Sequence, residues 1–473
     1  MARHTTPARG DRCGSNADCG DQTCLSMPGG YCGGSCANAP CAGACVETMR
    51  DGELCLASCT RDGDCRADEG YTCDPQWHAC TIPNTTALVP KQCPAAGPAR
   101  DPAFTDVTPW AIGRSPSAVS QGHGVAGMGV VALYASSTGI GCMAEAAGPV
   151  VTGGRDPWVA RGTTKLYGVW RDDEAVEFST EPLNAACEWT PPIPVQETSD
   201  PIGKAMVAVG PGEIIYVMYG SGRDGLRVRT SHDGGKTFAT AVTALAGTYG
   251  NAAVGSDGRL HLVTLNGDDH GAYGSAQQQI EYTVSADKGA TFAKAIVVSR
   301  RDELVPTYFA NPSIAVDDRR KLVYVAYVRG GRDGVWDVVI ATTKDAGKTW
   351  TRTTIGDGCS MHLVPNLALD PTTGTLHVAW YDTAGAPGRF VHGSCPSGAA
   401  KCSVWGAINT EASEPFEPLS TGHGTKAWIG DYASLFVDDK SHVLHALWTQ
   451  PVTDKTSGKL VPRIYHASAK LRK

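Results

Sequence analysis

Three octapeptides along this 473-residue chain repeat one chemical phrase: Ser231-His-Asp233-Gly-Gly235-Lys-Thr237-Phe238, Ser285-Ala-Asp287-Lys-Gly289-Ala-Thr291-Phe292 and Thr343-Lys-Asp345-Ala-Gly347-Lys-Thr349-Trp350. The shared pattern, [ST]-x-D-x-G-x-T-[FW], describes a turn that staples itself. The carboxylate and the hydroxyl bond backbone N–H groups across the turn, glycine takes a positive φ at no steric cost, and the aromatic ring anchors the turn to what lies beneath it. Around these turns runs a longer repeat: an apolar strand, a polar turn with Asp or Gly, and a second apolar strand ending in an aromatic. It is clearest at Ala208–Tyr219, Ala315–Tyr327, Ala368–Trp380 and Leu435–Trp448, with weaker copies at Val119–Tyr134, Val159–Trp170 and Ala253–Leu265, seven in all. The second strand is apolar at consecutive positions, as in Leu322-Val-Tyr-Val-Ala-Tyr327, so both of its faces must be covered.

Antiparallel hairpins buried on both faces and recurring every roughly 40 to 60 residues are what a β-propeller provides, because each blade is sandwiched between its neighbours. Composition points the same way, since 56 Gly and 29 Pro beside only 19% charged residues describe short elements joined by turns and argue against helical bundles. The octapeptide resembles the Asp box of the BNR, or sialidase-type, propellers. That resemblance covers about residues 103–470 and implies an all-β, seven-bladed propeller. A six-bladed ring with Ala118–Val150 as a decoration is the alternative. In that family the boxes sit on outer turns between third and fourth strands, away from the ligand face, which makes Asp233, Asp287 and Asp345 structural. The last blade runs to a third strand at Arg463–Ala467, and Ala103–Ala111 is left to supply its missing fourth strand, closing the ring and removing an open sheet edge.

The cysteines mark a second unit. Of the 18, twelve lie between Cys13 and Cys80 in a stretch too poor in aliphatic residues to build an ordinary core, so cross-links must hold it. Zinc is disfavoured because the shortest Cys spacings are wider than in zinc knuckles and few histidines are near. Cys13-Gly-Ser-Asn-Ala-Asp18-Cys19 and Cys59-Thr-Arg-Asp-Gly-Asp64-Cys65 share a C-x-x-[ND]-x-D-C frame, which suggests two cystine modules with a joining piece. The expected organisation is a disulfide-rich module at 1–80, a Pro- and Ala-rich linker at 81–102 and the propeller at 103–473. Outside the module, Cys395 and Cys402 flank a short turn, and Cys142 and Cys187 fall late in adjacent blades. Cys93 and Cys359 are then left to pin the two domains together, although spacing alone leaves other pairings open. Disulfides imply an oxidising compartment: secreted, periplasmic or cell surface. Met1–Gly10 has no apolar h-region, so the expected form is a mature chain with its leader removed.

A net charge of −7 from 41 Lys+Arg and 48 Asp+Glu, with no long run of either sign, leaves no footprint for nucleic acid. No segment has the length of a membrane span. Sialidases of the resembled family use an arginine triad, an Asp acid/base and a Tyr nucleophile assisted by Glu, opening with an aromatic-Arg-Ile-Pro tetrapeptide. Here the corresponding place reads Ile112-Gly113-Arg114-Ser115-Pro116, which keeps Arg and Pro only. Arg155 and Asp156 at the start of blade two, and Asp431 and Tyr432 at the start of blade seven, complete the candidate catalytic set with Arg114. Later inner strands offer Lys204, Asn251, Asn311 and Asn366 where further arginines would be wanted. His123 and His423, each in a Gly-His-Gly frame, form a weak metal pair without a carboxylate, and Asp268-Asp269-His270 reads as a solvated hairpin tip. No cofactor is expected. The sequence therefore points to a recognition scaffold for a glycan or an extracellular protein, with an exo-acting glycoside hydrolase of the sialidase type as the alternative.

Overall fold

The computed structural model describes residues 7–472 apart from 26, 28, 37–39, 49–51, 75–76, 83–96, 100–101, 112–121, 128, 137–138, 144–146, 173–174, 186, 197–201, 222–224, 248, 267–277, 301–302, 304, 306–310, 331–335, 357–360, 383–388, 397–401, 403–405, 409–432, 454–457 and 459. The fold is all-β, a propeller preceded by a disulfide-rich region. Among the described residues no helix is long and apolar enough to cross a membrane.

The N-terminal region is held by six disulfides: Cys13–Cys24, Cys19–Cys32, Cys36–Cys45, Cys41–Cys55, Cys59–Cys73 and Cys65–Cys80. They fall into three consecutive sets with first-to-third and second-to-fourth connectivity, so the joining piece between the two framed segments is a third module of the same kind. The duplicated frame has a local cause. Asn16 and Asp62 accept the N–H of Cys24 and Cys73, at 2.9 and 3.0 Å. Asp18 accepts the N–H groups of Gly14 and Ser15, and Asp64 those of Thr60 and Arg61, each closing a turn onto a 3₁₀ segment. The small core of Tyr31, Val46, Leu54, Leu56, Tyr71 and Ile82 is lidded by the Arg66 guanidinium, 4.6 Å from the Tyr71 ring centre.

Among the described residues seven four-stranded antiparallel sheets follow, each with its strands in chain order except the last. Sheet one comprises Gly122–Gly127, Gly129–Ser136, Gly139–Met143 and Ala147–Thr152; sheet two Arg155–Arg161, Lys165–Arg171, Val176–Pro182 and Ile193–Pro194. Sheet three comprises Ile202–Gly210, Ile214–Ser221, Gly225–Ser231 and Val242–Leu245; sheet four Tyr249–Val254, Leu260–Asn266, Gln279–Ser285 and Ile296–Val297. Sheet five comprises Ser313–Asp317, Leu322–Gly330, Trp336–Thr343 and Thr351–Ile355; sheet six His362–Leu369, Leu376–Asp382, Arg389–Cys395 and Gly406–Ala407. Sheet seven takes Ser434–Asp438, Val443–Thr453 and Leu460–Lys470 from the end of the chain and Thr105–Ala111 from before sheet one. This closing strand runs antiparallel to Leu460–Lys470, with Ala111 opposite Ile464 and Thr105 opposite Ser468. First strands of successive sheets pack on one another around the ring, and that of sheet seven packs on that of sheet one. The Ala118–Val150 stretch holds most of the four strands of sheet one.

Burial explains the unbroken apolar runs: Ile214–Ser221 is buried at every position, and Trp170, Trp380 and Trp448 on other second strands are fully enclosed. Just ahead of the closing strand, residues 97–99 lie alongside Gly406–Ala407: Ala99 N–H bonds Ala407 O at 2.9 Å and Ala407 N–H bonds Gly97 O at 2.6 Å.

The turn after the third strand is stapled in several ways. In sheets three, four and five it carries the repeated octapeptide. Asp287 Oδ1 accepts the Thr291 N–H at 2.9 Å and Oδ2 the Thr291 hydroxyl at 2.5 Å, while Ser285 Oγ donates to Asp287 and accepts the Gly289 N–H. Asp233 and Asp345 repeat these bonds with Thr237 and Thr349. These bonds, the threonine hydroxyl foremost, hold the Asp287 and Asp345 carboxyls down at about 2 and push Asp233 down as well. The aromatic of each box docks on the preceding sheet, Phe238 edge-on to Phe178 and Trp350 edge-on to Tyr282. In sheet six Cys395 stands opposite Leu376 just as Ser231, Ser285 and Thr343 stand opposite Ile215, Leu260 and Val323, and its disulfide to Cys402 replaces the box. In sheet two the turn is held by the Cys142–Cys187 disulfide and by buried Glu181, which accepts the Glu188 N–H and whose carboxyl burial pushes up.

Candidate functional site

Strand direction defines the two ends of the ring. Third strands begin at the end where first strands also begin, and they finish at the end that carries the Asp boxes. Asp233, Asp287 and Asp345 therefore lie at the opposite end from the first-strand starts, where Arg155 and Asp156 lie.

At the strand-entry end, several first strands are bulged. In sheet two Arg155 pairs with Arg171 and Trp158 with Val169, leaving Asp156-Pro157 opposite one residue. Sheet three has the same irregularity at Gly203-Lys204, and sheet six at Val364-Pro365. Asp156 and Val364 adopt φ of 55° and 51°, a left-handed backbone that a residue before proline rarely takes and that a β-branched residue takes only when its surroundings enforce it. Such bulges re-aim side chains at the rim of a sheet. In sheet two the bulge turns the buried Asp156 carboxylate onto the Arg171 guanidinium, with Nε 2.5 Å from Oδ2, while Arg155 itself is exposed.

Further pairs stand at the same end. Arg329 donates to Asp337 at 2.6 Å across the second and third strands of sheet five, and buried His362 lies with Nε2 3.7 Å from Asp382 in sheet six. Lys204 Nζ sits 5.3 Å from the ring centre of Tyr249 on the next sheet, a cation–π contact across the seam. Asn251 accepts the N–H of Ala252, and Asn366 donates to Val364 O, supporting the bulge there. Arg463 lies on the third strand of sheet seven opposite Gln450, whose amide oxygen accepts the Trp448 indole N–H. Arg114, Asp431, Tyr432, Cys93, Cys359, His423 and Asp268-Asp269-His270 fall outside the described residues, as does the side chain of His123.

Of the sequence candidates, Arg155 and Asp156 are thus adjacent at the ring's entry end. Arg171, Arg329–Asp337, His362–Asp382 and Tyr249 were missed. The signal that could have found Arg171, Arg329 and Asp382 is the end of each second strand, since antiparallel pairing carries that end back to the first-strand start, where Tyr249 and His362 stand and near which the third strand of Asp337 begins.

No family model and no curated protein matches the chain. Among solved structures it is similar to the Hadza microbial sialidase Hz136 at 15% identity, covering 73% of this chain and 74% of that one with a TM-score of 0.43. It is similar to the NanB sialidase of Streptococcus pneumoniae at 10% identity, over 67% and 68% of the two chains, TM-score 0.42. A third, the Trypanosoma rangeli sialidase in complex with the inhibitor DANA, has 14% identity over 70% and 57%, TM-score 0.41. Likeness at this level concerns the fold alone.

Proposed function

We propose that the chain is an extracellular or cell-surface protein that recognises a glycan or a protein through the strand-entry end of its propeller, with the cystine region as a rigid cap or stalk. The observation that carries this reading is the locking of acidic groups at that end: Asp156 is held by Arg171 and Asp337 by Arg329. A carboxylate held by a guanidinium in a fixed geometry serves as a positioning element. The inner-strand positions of later sheets, with Lys204 and three asparagines, suit hydrogen bonding to hydroxyls or amides better than capture of a carboxylate by three arginines. The second reading, an exo-acting glycoside hydrolase, rests on Arg114, Asp431 and Tyr432 in the sequence.

One experiment separates them. The purified chain is screened against acidic and neutral glycans and assayed on an aryl sialoside from pH 4 to 8. Binding weakened by Lys204→Ala or Arg155→Ala, without turnover, is the expected result. Turnover abolished by Tyr432→Phe or Arg114→Ala would promote the hydrolase.

A further inference from the structure

In five of the described sheets the second strand carries a side chain placed on the diagonal from one of the third strand. In sheet two this slot holds Tyr167 stacked on Phe178, and in sheet five Tyr324 with Ile340 by the same register. Sheet four places His261 there, with Nδ1 2.7 Å from the Tyr282 hydroxyl. Sheets six and seven fill it with two imidazoles each. His377 Nδ1 lies 3.1 Å from His392 Nε2, and His445 Nδ1 lies 3.1 Å from His466 Nε2, the rings stacked in both. His377 and His392 are 3% and 2% exposed.

One histidine of each pair touches the segment that closes the ring. Phe104, immediately before the closing strand, packs edge-on against His392 with ring centres 5.2 Å apart. His466 stands opposite Thr108 within the closing strand. We propose that the two histidine pairs form an acid-sensitive latch on ring closure: protonation of both members of a pair drives the strand Thr105–Ala111 off sheet seven and loosens the attachment of the cystine region that precedes it.

The chemistry is elementary. A neutral pair shares one N–H···N bond, and full protonation places two cations about 3 Å apart among apolar side chains, where their repulsion is poorly screened. Burial holds His392 well below the ordinary imidazole range and lowers His445 also. A group with a lowered folded pKa binds more protons in the opened state, so closure weakens as pH falls below about 6.5. The facing charges do not cancel this. On the turn that leads into the His377 strand, Arg319 and Arg320 of sheet five bond the carbonyls of Thr372 and Thr373, and His442 of sheet seven pairs with Asp370 at 3.2 Å. Asp438 favours a charged His445, which is otherwise stacked on Phe436.

The test follows amide exchange in the full chain, as protection factors corrected for intrinsic rates, at pH 7.5 and pH 5. Residues 105–111 are expected to lose about tenfold or more in protection relative to the strand Gly225–Ser231. Replacing the pairs by the residues of sibling sheets, His377→Tyr with His392→Ile and His445→Tyr with His466→Phe, is expected to abolish that difference. Equal loss in both strands of the wild type, or a differential loss retained in the replaced protein, overturns the latch. If the replacements fail to fold, NMR titration of the wild-type histidines decides: His392 and His445 titrating near 6.5 with the closing-strand amides still protected overturns it, and titration only together with loss of that protection supports it.

Discussion

Tyr381 offers the cleanest test of what holds neighbouring sheets together. Its phenol, fully buried on the second strand of sheet six, accepts the N–H of Thr449 at 3.0 Å and donates to the Thr449 carbonyl, also at 3.0 Å, on the second strand of sheet seven. One oxygen thus satisfies both backbone groups of a buried residue across a seam. Tyr381→Phe keeps the ring and its contact with Phe390 but strands those two groups. An unsatisfied buried donor or acceptor costs about 1 to 3 kcal/mol, so the pair costs about 2 to 6 kcal/mol in all. Unfolding entropy of roughly 2.1 cal/mol/K per residue over a propeller of about 370 residues gives about 0.8 kcal/mol/K, and the expected fall in Tm is about 3 to 8 °C. Differential scanning calorimetry at pH 7.5 measures it, with amide exchange at Thr449 as the local readout. A fall of less than about 1 °C with Thr449 still protected would refute the reasoning, because it would mean that those groups are satisfied without the phenol.

Three further outcomes follow. Asp345→Ala is expected to lower Tm at neutral pH and to flatten acid sensitivity, since the depressed carboxyl contributes stability above about 3.8 that is lost as pH falls toward about 2; melting curves from pH 2 to 7 check both. Gly235→Ala is expected to destabilise by roughly 1 to 3 kcal/mol in urea unfolding, because residue 235 has φ 87° and its Cβ would lie 2.4 Å from the Phe178 ring. Removal of residues 1–96 is expected to leave the propeller folded by circular dichroism, whereas removal of residues 1–111 exposes an edge of sheet seven and is expected to yield aggregates or oligomers by size-exclusion chromatography.

What the sequence determined by itself is whatever the chain settles within a few residues. Every partner of Asp287 in its box lies within four positions, so residue types at fixed spacing specify the staple wherever they occur. The same holds for Asp18 and Asp64 in the cystine region, and consecutive apolar positions revealed the second strands because burial on both faces leaves no polar alternation. Tertiary structure decided the rest. Asp156 meets Arg171 only because a bulge and an antiparallel register bring together residues fifteen apart. Cys395 takes the place of a box serine through its register against Leu376, and Tyr381 finds Thr449, 68 residues away, across a seam between sheets. The two histidine pairs acquire their setting from a strand that arrives from the other end of the chain. The unpaired segment at 103–111 announced that the ring closes, but contacts of that range depend on register and on the neighbouring sheet, and no local pattern of residues records which side chains the closure brings together.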